Sequence, residues 1–219
     1  MNNNIIQQIA IWTVPVLLAL IVHEVAHGWV ASLFGDKTAL MLGRLTLNPR
    51  KHIDLIGTII MPLLCLFVGG IIFGWAKPVP INSRNFKNFR RDMVLVAAAG
   101  PISNFLMALM WAMFTKVAIL LFIQDPIPLI KLFFIPMGYA GIFINLLLMV
   151  FNLIPIPPLD GSRVVASLLP SGAAKVYGLV EQYGFIILMF LIYTNILSLI
   201  IEPPFLWIQN AIFSVFAIE

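Results

Sequence analysis

Long apolar runs separated by short polar or basic links organise this sequence. Four of the runs are long enough to cross a bilayer as helices, because about 20 apolar residues span its hydrocarbon core. These four runs cover residues 5–33, 93–122, 132–154 and 179–201. A further run at 203–218 is short for a full crossing and could lie in the membrane interface, but the sequence leaves open whether it spans.

The apolar run at 53–73 carries Pro62 and the pair Gly69 and Gly70. It lies between two strongly basic links, 34–54 and 74–92, and basic links are typical of the cytoplasmic side of a membrane. A single crossing at 53–73 would place the two links on opposite sides. We therefore predict that this run is re-entrant, entering and leaving the membrane on the same side.

The link FGDKTALMLGRLTLNPRKH, which follows the first run, shows the alternation of apolar and polar residues that favours strands. Its apolar positions are Leu40, Leu42, Leu45 and Leu47. We predict a small β-hairpin or sheet here. Its edge could pair with an extended substrate, or the hairpin could be a plain connection, and the sequence favours neither.

Composition supports a membrane protein, since 61% of the 219 residues are hydrophobic and only 10% are charged. The predicted fold is an all-α polytopic bundle of about 4–6 membrane segments, with residues 1–219 forming a single domain. The net charge of +4 reflects orientation in the bilayer, and no nucleic-acid partner is expected. Cys65 is the only cysteine, which excludes an intrachain disulfide and a site of several thiolates.

The pentapeptide His23-Glu24-Val25-Ala26-His27 ends the first apolar run. Residues four apart share one face of a helix, so both imidazoles can reach the same metal ion. Glu24 is rotated off that line, where its carboxylate can accept a proton from a water molecule. The alternative is a helix end with interfacial histidines and an exposed glutamate. Ionisable groups in an apolar helix are costly and usually functional, which favours the metal site.

A catalytic zinc site typically needs a third protein ligand, and Asp160 in NLIPIPPLDGSR is the candidate. Three prolines before it impose an extended backbone, and Gly161 permits a turn after it. The carboxylate could then lie near the end of the first helix. Alternatively, Asp160 caps a helix at about 161–169, for which Asp-Gly-Ser is a common start.

The pair HEVAHG and NLIPIPPLDG resembles the site-2 protease family of intramembrane zinc metalloproteases. The stretches GRLTLNPRKHIDLIG, FGWAKPVPIN and AAGPISNF strengthen the resemblance, which covers roughly residues 20–175 and points to the short branch without a PDZ domain.

The resemblance implies that His23, His27 and Asp160 bind one Zn²⁺ ion and that Glu24 is the general base. It also implies that Asn104 lies near the metal, where it could donate to the oxyanion of the reaction. The alternative for Asn104 is an interhelical hydrogen bond. The third histidine, His52, is interpreted as an interfacial residue beside basic neighbours.

The expected activity is hydrolysis of peptide bonds in membrane-anchored proteins or peptides, within or beside the lipid bilayer. The expected location is a bacterial cytoplasmic membrane, crossed several times, with the active site towards the cytoplasm. Two competing hypotheses are a membrane metal transporter and a non-catalytic member of the family. A transporter predicts ligands spread over several spans and gives Glu24 no special role.

Overall fold

A computed structural model describes residues 5–60, 74, 76–122 and 128–218 of the chain. These residues form α-helices connected by short turns, including 3₁₀ turns at Pro49–Lys51, Ser83–Asn85 and Glu181–Tyr183 and a π-helical turn at Leu55–Ile60. The α-helices are α1 (Ile5–Leu33), α2 (Thr38–Met41), α3 (Phe89–Phe122), α4 (Pro128–Leu153), α5 (Asp160–Leu168), α6 (Ser171–Leu179), α7 (Gly184–Tyr193) and α8 (Ile196–Phe216).

Helices α1, α3 and α4 pack on one another and form the centre of the bundle. Small residues allow this close approach. A Cβ atom on Gly141 would collide with the ring of Trp111, and one on Gly138 would collide with Thr115. Ala108 is completely buried at the same interface. Helix contacts through small residues are typical of membrane bundles, where van der Waals packing drives helix association.

Within the described residues, five helical stretches are long and apolar enough to cross a membrane: Ile6–Leu33, Phe89–Leu121, Lys131–Leu153, Ser171–Tyr193 and Ile196–Phe216. Large apolar side chains on the outer face of α3 are exposed, among them Leu106, Met110, Met113 and Val117. Their spacing of three to four residues marks one helix face, and a face of this kind suits lipid. The prediction of an all-α, multi-pass membrane protein is confirmed.

The predicted span at 179–201 has the wrong bounds, because the helix breaks at residues 194–195 and the candidate span in this region is Ser171–Tyr193. Helix α7 ends at Tyr193, Asn195 adopts the left-handed conformation with φ of 58°, and α8 begins at the next residue. The run 203–218, which the sequence did not resolve as spanning or interfacial, belongs to α8, which is 21 residues long and contains Pro203 and Pro204. Proline inside a helix is tolerated in membrane proteins because neighbouring groups satisfy the freed carbonyls.

The predicted β-hairpin after the first helix is also wrong, since the described part of the chain contains no strand there or elsewhere. Leu40 instead lies in α2 and Leu42 in the turn that follows it, whereas Leu45 and Leu47 lie in the irregular link beyond. The hydrogen bonds of the turn are local: the Leu42 amide donates to Thr38 O at 3.1 Å, and the Arg44 amide donates to Ala39 O at 2.9 Å. Gly43, with φ of 61°, closes the turn in a conformation that glycine adopts without strain.

Asp36 anchors this link to the segment before α3. Its buried carboxylate accepts hydrogen bonds from the amide and hydroxyl of Thr38, the side chain of Asn85 and the amide of Asn82. Burial alone would raise the pKa of Asp36, but these donors together hold it below its ordinary value. The four donors explain why the link turns back locally rather than extending as a strand.

The two basic links meet on the same side of the bundle. Nη2 of Arg44 donates to Lys77 O at 3.0 Å, and the Lys77 amide donates to His52 O at 2.8 Å. Residues 52 and 77 therefore lie next to each other, which agrees with the argument from charge. Residues 61–73, with Cys65, lie outside the described residues, so the re-entrant path stays a prediction.

Candidate metal centre and active site

Helix α1 places His23 and His27 one turn apart on its inward face. Both side chains are buried, and their Nε2 atoms lie 3.1 Å from each other. The spacing of four residues that predicted a shared face therefore brings the two imidazole edges together. Helices α3 and α4 cover this face of α1 and exclude lipid from it.

Asp160 reaches the same point from the first residue of α5. Gly161 lets the start of α5 press against the end of α4, because a Cβ atom there would collide with the carbonyl oxygens of Leu153 and Ile154. The N-cap position is occupied by Leu159, so Asp160 is not the capping residue. Its Oδ2 lies 3.1 Å from Nε2 of each histidine.

The other nitrogen of each imidazole has its own partner. Nδ1 of His27 lies 2.7 Å from the carbonyl oxygen of Val96, and Nδ1 of His23 lies 2.6 Å from Oδ1 of Asn104. Both partners are acceptors, so each Nδ1 carries the hydrogen of a neutral imidazole. Both Nε2 atoms are then left with a free lone pair, as a metal ligand requires.

These atoms suit a zinc ion. Two imidazole lone pairs and a carboxylate oxygen converge within 3.1 Å of one another, and three acceptors this close need a cation between them. A tetrahedral zinc site with bonds of ~2.0 Å has ligand atoms roughly 3.3 Å apart. A carboxyl group is ionised near neutral pH, so Asp160 supplies an anionic oxygen.

Gly100 on α3 leaves the space over these ligand atoms open. A Cβ atom at this position would collide with Nε2 of His27 and would lie 2.5 Å from Cε1 and 2.6 Å from Nε2 of His23. Helix α3, which covers the histidines, therefore has no side chain at the position where an ion would need space. The GPISN stretch drew attention to Asn104, whereas the structure gives Gly100 an equally direct relation to the site.

We expect Gly100→Ala to weaken zinc binding by at least about 10-fold, because the new methyl group occupies space beside both Nε2 atoms. Alanine is the better helix former, so helix propensity does not oppose the change. The measurement is a zinc competition titration of the purified protein against a chelator. Gly172→Ala on α6, where a Cβ meets nothing within 4 Å, is the matched control. Unchanged zinc affinity in Gly100→Ala would place the ion elsewhere.

Glu24 is half-buried next to the histidines, and its Oε2 accepts a hydrogen bond of 2.7 Å from the Val79 amide. Val79, in the FGWAKPVPIN stretch, packs on α1 where Gly28 lacks a side chain. The hydrogen bond from the Val79 amide holds one oxygen of the Glu24 carboxylate, Oε2, in place. The sequence did not reveal this hydrogen bond, because every residue except proline has a backbone amide and the residue type therefore does not indicate its partner.

Asn104 lies beside the site, as expected, and is completely buried. Its Oδ1 faces His23, while its Nδ2 donates to Ala19 O at 3.2 Å and to Oδ1 of Asn145 at 3.0 Å. Both hydrogens of the amide are engaged, so this arrangement favours the interhelical alternative over a donor to an oxyanion. Asn145 was missed, although a buried amide in the apolar run 132–154 was a signal that could have found it.

His52 makes its hydrogen bond outside the group formed by His23, His27 and Asp160. Its ring is buried in the link after α2, where Nε2 lies 2.8 Å from the carbonyl oxygen of Thr46. Among the described residues, the group of histidine and acidic side chains that could hold a metal ion is His23, His27 and Asp160. His52 supports the link rather than the metal site.

Comparisons with known proteins find relatives that are named zinc metalloproteases. Peptidase family M50 matches residues 116–191. The chain is 39% identical over 190 residues to "Putative zinc metalloprotease YwhC" of Bacillus subtilis, covering 87% of this chain and 83% of that protein. It is 31% identical over 179 residues to "Putative zinc metalloprotease Rip2" of Mycobacterium tuberculosis, covering 80% of this chain and 63% of that protein.

The Rip2 protein of Mycolicibacterium smegmatis is similar as well, at 29% identity over 182 residues, which are 83% of this chain and 66% of the relative. No solved structure matches the chain. The similarity to YwhC extends over most of both proteins at an identity that establishes common family membership. The chain therefore belongs to peptidase family M50, the site-2 protease family, and is a zinc-dependent metalloendopeptidase of the membrane.

Proposed function

We propose that the protein is an intramembrane endopeptidase that hydrolyses peptide bonds of membrane-anchored substrates, with one zinc ion held by His23, His27 and Asp160. The observation that carries the proposal is the buried triangle of ligand atoms with 3.1 Å sides, two of whose corners lie on a helix long and apolar enough to cross the membrane. Glu24, next to His23 in the chain, is the candidate general base beside these ligands. Ligand atoms and a candidate base thus lie together where an apolar bundle would otherwise exclude charge.

When bound, zinc supplies Lewis acidity, which lowers the pKa of a coordinated water molecule and polarises the peptide carbonyl. Glu24 accepts the proton of the attacking water at Oε1, while the Val79 amide holds Oε2. The same carboxylate then delivers the proton to the leaving amine. Asn104 and the Val96 carbonyl hold the Nδ1 hydrogens of His23 and His27, which keeps both Nε2 atoms directed at the metal.

The substrate we propose is a protein or peptide with a single membrane span. The site lies within a bundle whose outer faces suit lipid, so a substrate approaches from the bilayer. A substrate helix must unwind locally first, because its peptide groups are hydrogen-bonded within the helix. The site is near the end of α1 that joins the basic links, which supports an active site towards the cytoplasm of a bacterial membrane.

The test is cleavage of a single-span reporter protein by the purified enzyme in proteoliposomes, with the cut mapped by intact mass. The proposal expects a cut within the apolar span or within a few residues of it, lost on chelation and restored by zinc. Cleavage confined to soluble peptides, or a cut far from the span, would contradict the proposal. Zinc accumulation inside the vesicles without cleavage would favour the transporter.

A further inference from the structure

Three buried polar side chains from three helices form a line that ends at the candidate metal site. They are Asn145 on α4, Asn104 on α3 and His23 on α1, and both asparagines are completely buried. The distances are 3.0 Å from Oδ1 of Asn145 to Nδ2 of Asn104 and 2.6 Å from Oδ1 of Asn104 to Nδ1 of His23. Buried amides in an apolar bundle are expensive unless each polar atom has a partner.

The orientation of the Asn104 amide decides which nitrogen of His23 is free. If the NH₂ group faced His23, then Nδ1 would have to accept and Nε2 would carry the hydrogen. A protonated Nε2 cannot bind a metal ion. The orientation with Oδ1 towards His23 is therefore the one that the zinc site requires, and something must select it.

Two acceptors at the other end of Asn104 make this selection. One is the carbonyl oxygen of Ala19, at 3.2 Å, and the other is Oδ1 of Asn145, at 3.0 Å. The Ala19 carbonyl also belongs to the hydrogen-bond ladder of α1, where its partner is the amide four residues later. Oδ1 of Asn145 does not take part in a helical backbone hydrogen bond, so it is the more available acceptor of the two.

Asn145 is itself oriented by the helix backbone. Its Nδ2 donates to the carbonyl oxygen of Gly141 at 2.9 Å, which turns Oδ1 towards Asn104. The Gly141 carbonyl thus orients Asn145, Asn145 orients Asn104, and Asn104 orients His23. His27 needs no comparable line, because its Nδ1 meets the carbonyl oxygen of Val96 directly.

We propose that Asn145 is a positioning residue for the metal site: through Asn104 it selects the tautomer in which His23 presents a bare Nε2. This inference rests on the proposed zinc site. Loss of a partner that orients a metal-binding histidine typically weakens metal binding 10- to 100-fold. Asn145 acts one residue further out, so the expected loss is about 10-fold, near the lower end of that range.

The test compares zinc affinity in the full chain purified in detergent, for wild type and Asn145→Leu. Leucine has a similar volume and removes both hydrogen bonds of the amide. We expect the zinc dissociation constant to rise about 10-fold and zinc release to a chelator to become faster. In the zinc-loaded protein labelled with ¹⁵N-histidine, we also expect the Nδ1 hydrogen of His23 to exchange with solvent faster than in wild type. A role in packing alone would not change that exchange.

Thr115→Val is the matched control, since Thr115 is equally buried and its hydroxyl donates only to Trp111 O within its own helix. It should leave zinc affinity unchanged. Asn145→Ala removes the same oxygen without adding bulk and replaces the leucine variant if that variant does not fold. Wild-type zinc affinity and wild-type exchange in a folded Asn145 variant would overturn the inference, as would failure of both variants to fold. A wild-type protein without zinc would instead overturn the proposed zinc site.

Discussion

Glu24→Gln should abolish peptide hydrolysis while the zinc ion stays bound. Glutamine keeps the shape of the side chain and an oxygen that can accept from the Val79 amide, but it cannot take a proton from water. General base catalysis contributes roughly 10²- to 10⁴-fold, so kcat should fall by about 10³-fold. The measurements are the initial rate of cleavage of a single-span reporter in proteoliposomes and the zinc content of the same preparation.

Glu181→Gln makes the same chemical change at an exposed position and should behave as wild type. Cleavage by Glu24→Gln at the wild-type rate would show that another group is the base. Loss of zinc together with activity would show that Glu24 contributes to metal binding, which the present assignment does not expect.

Asp160→Asn should remove zinc and activity together. The substitution replaces an anionic oxygen with a neutral amide at the corner of the triangle, where Oδ2 lies 3.1 Å from both Nε2 atoms. Loss of a residue that only orients a ligand weakens metal affinity 10- to 100-fold, so loss of a ligand itself should weaken zinc affinity by more than about 100-fold. A zinc competition titration gives the affinity, and the cleavage assay at saturating zinc gives the activity.

Asp54→Asn is the control for this change. Asp54 accepts from the Gly57 amide at 2.7 Å, outside the group that could hold the metal, and its variant should keep wild-type zinc affinity. Retention of zinc by Asp160→Asn would mean that the third ligand is a different residue. Together, Glu24→Gln and Asp160→Asn separate the chemical step from metal binding.

The paired histidines and Glu24 could be predicted from the sequence because helical periodicity is local. Four residues bring two side chains to the same face of any helix, whatever the rest of the fold does. The position of Asp160 required the resemblance to a family, since nothing between residues 27 and 160 reveals how α4 and α5 return to α1. The structure brings these side chains together, and the role of each in catalysis stays a proposal.

The errors arose where a pattern of residues was outweighed by contacts made in the folded chain. The alternation of Leu40 and Leu42 favoured a strand, but the hydrogen bonds of Asp36 hold the link in a turn. The runs 179–201 and 203–218 were divided at the wrong point, since α8 extends from Ile196 to Phe216 through Pro203 and Pro204. No proline or glycine adjoins Asn195, so no signal in the sequence indicated the helix break there.

The contacts that tune the site were beyond sequence reasoning for a different reason. The Val79 amide on Glu24 and the line from Asn145 to His23 depend on how separate helices and links pack. Polar residues in apolar runs indicate that such partners exist, but they do not say which residues pair.

X-ray absorption at the zinc K-edge of the purified wild-type protein tests the zinc site most directly. We expect one zinc ion per chain, with nitrogen and oxygen neighbours at about 2.0–2.1 Å and the outer-shell scattering of two imidazoles. That signal should disappear in Asp160→Asn and persist in Glu24→Gln. A chain that binds no stoichiometric zinc, or zinc bound by sulfur or by a number of imidazoles other than two, would contradict the proposed zinc site.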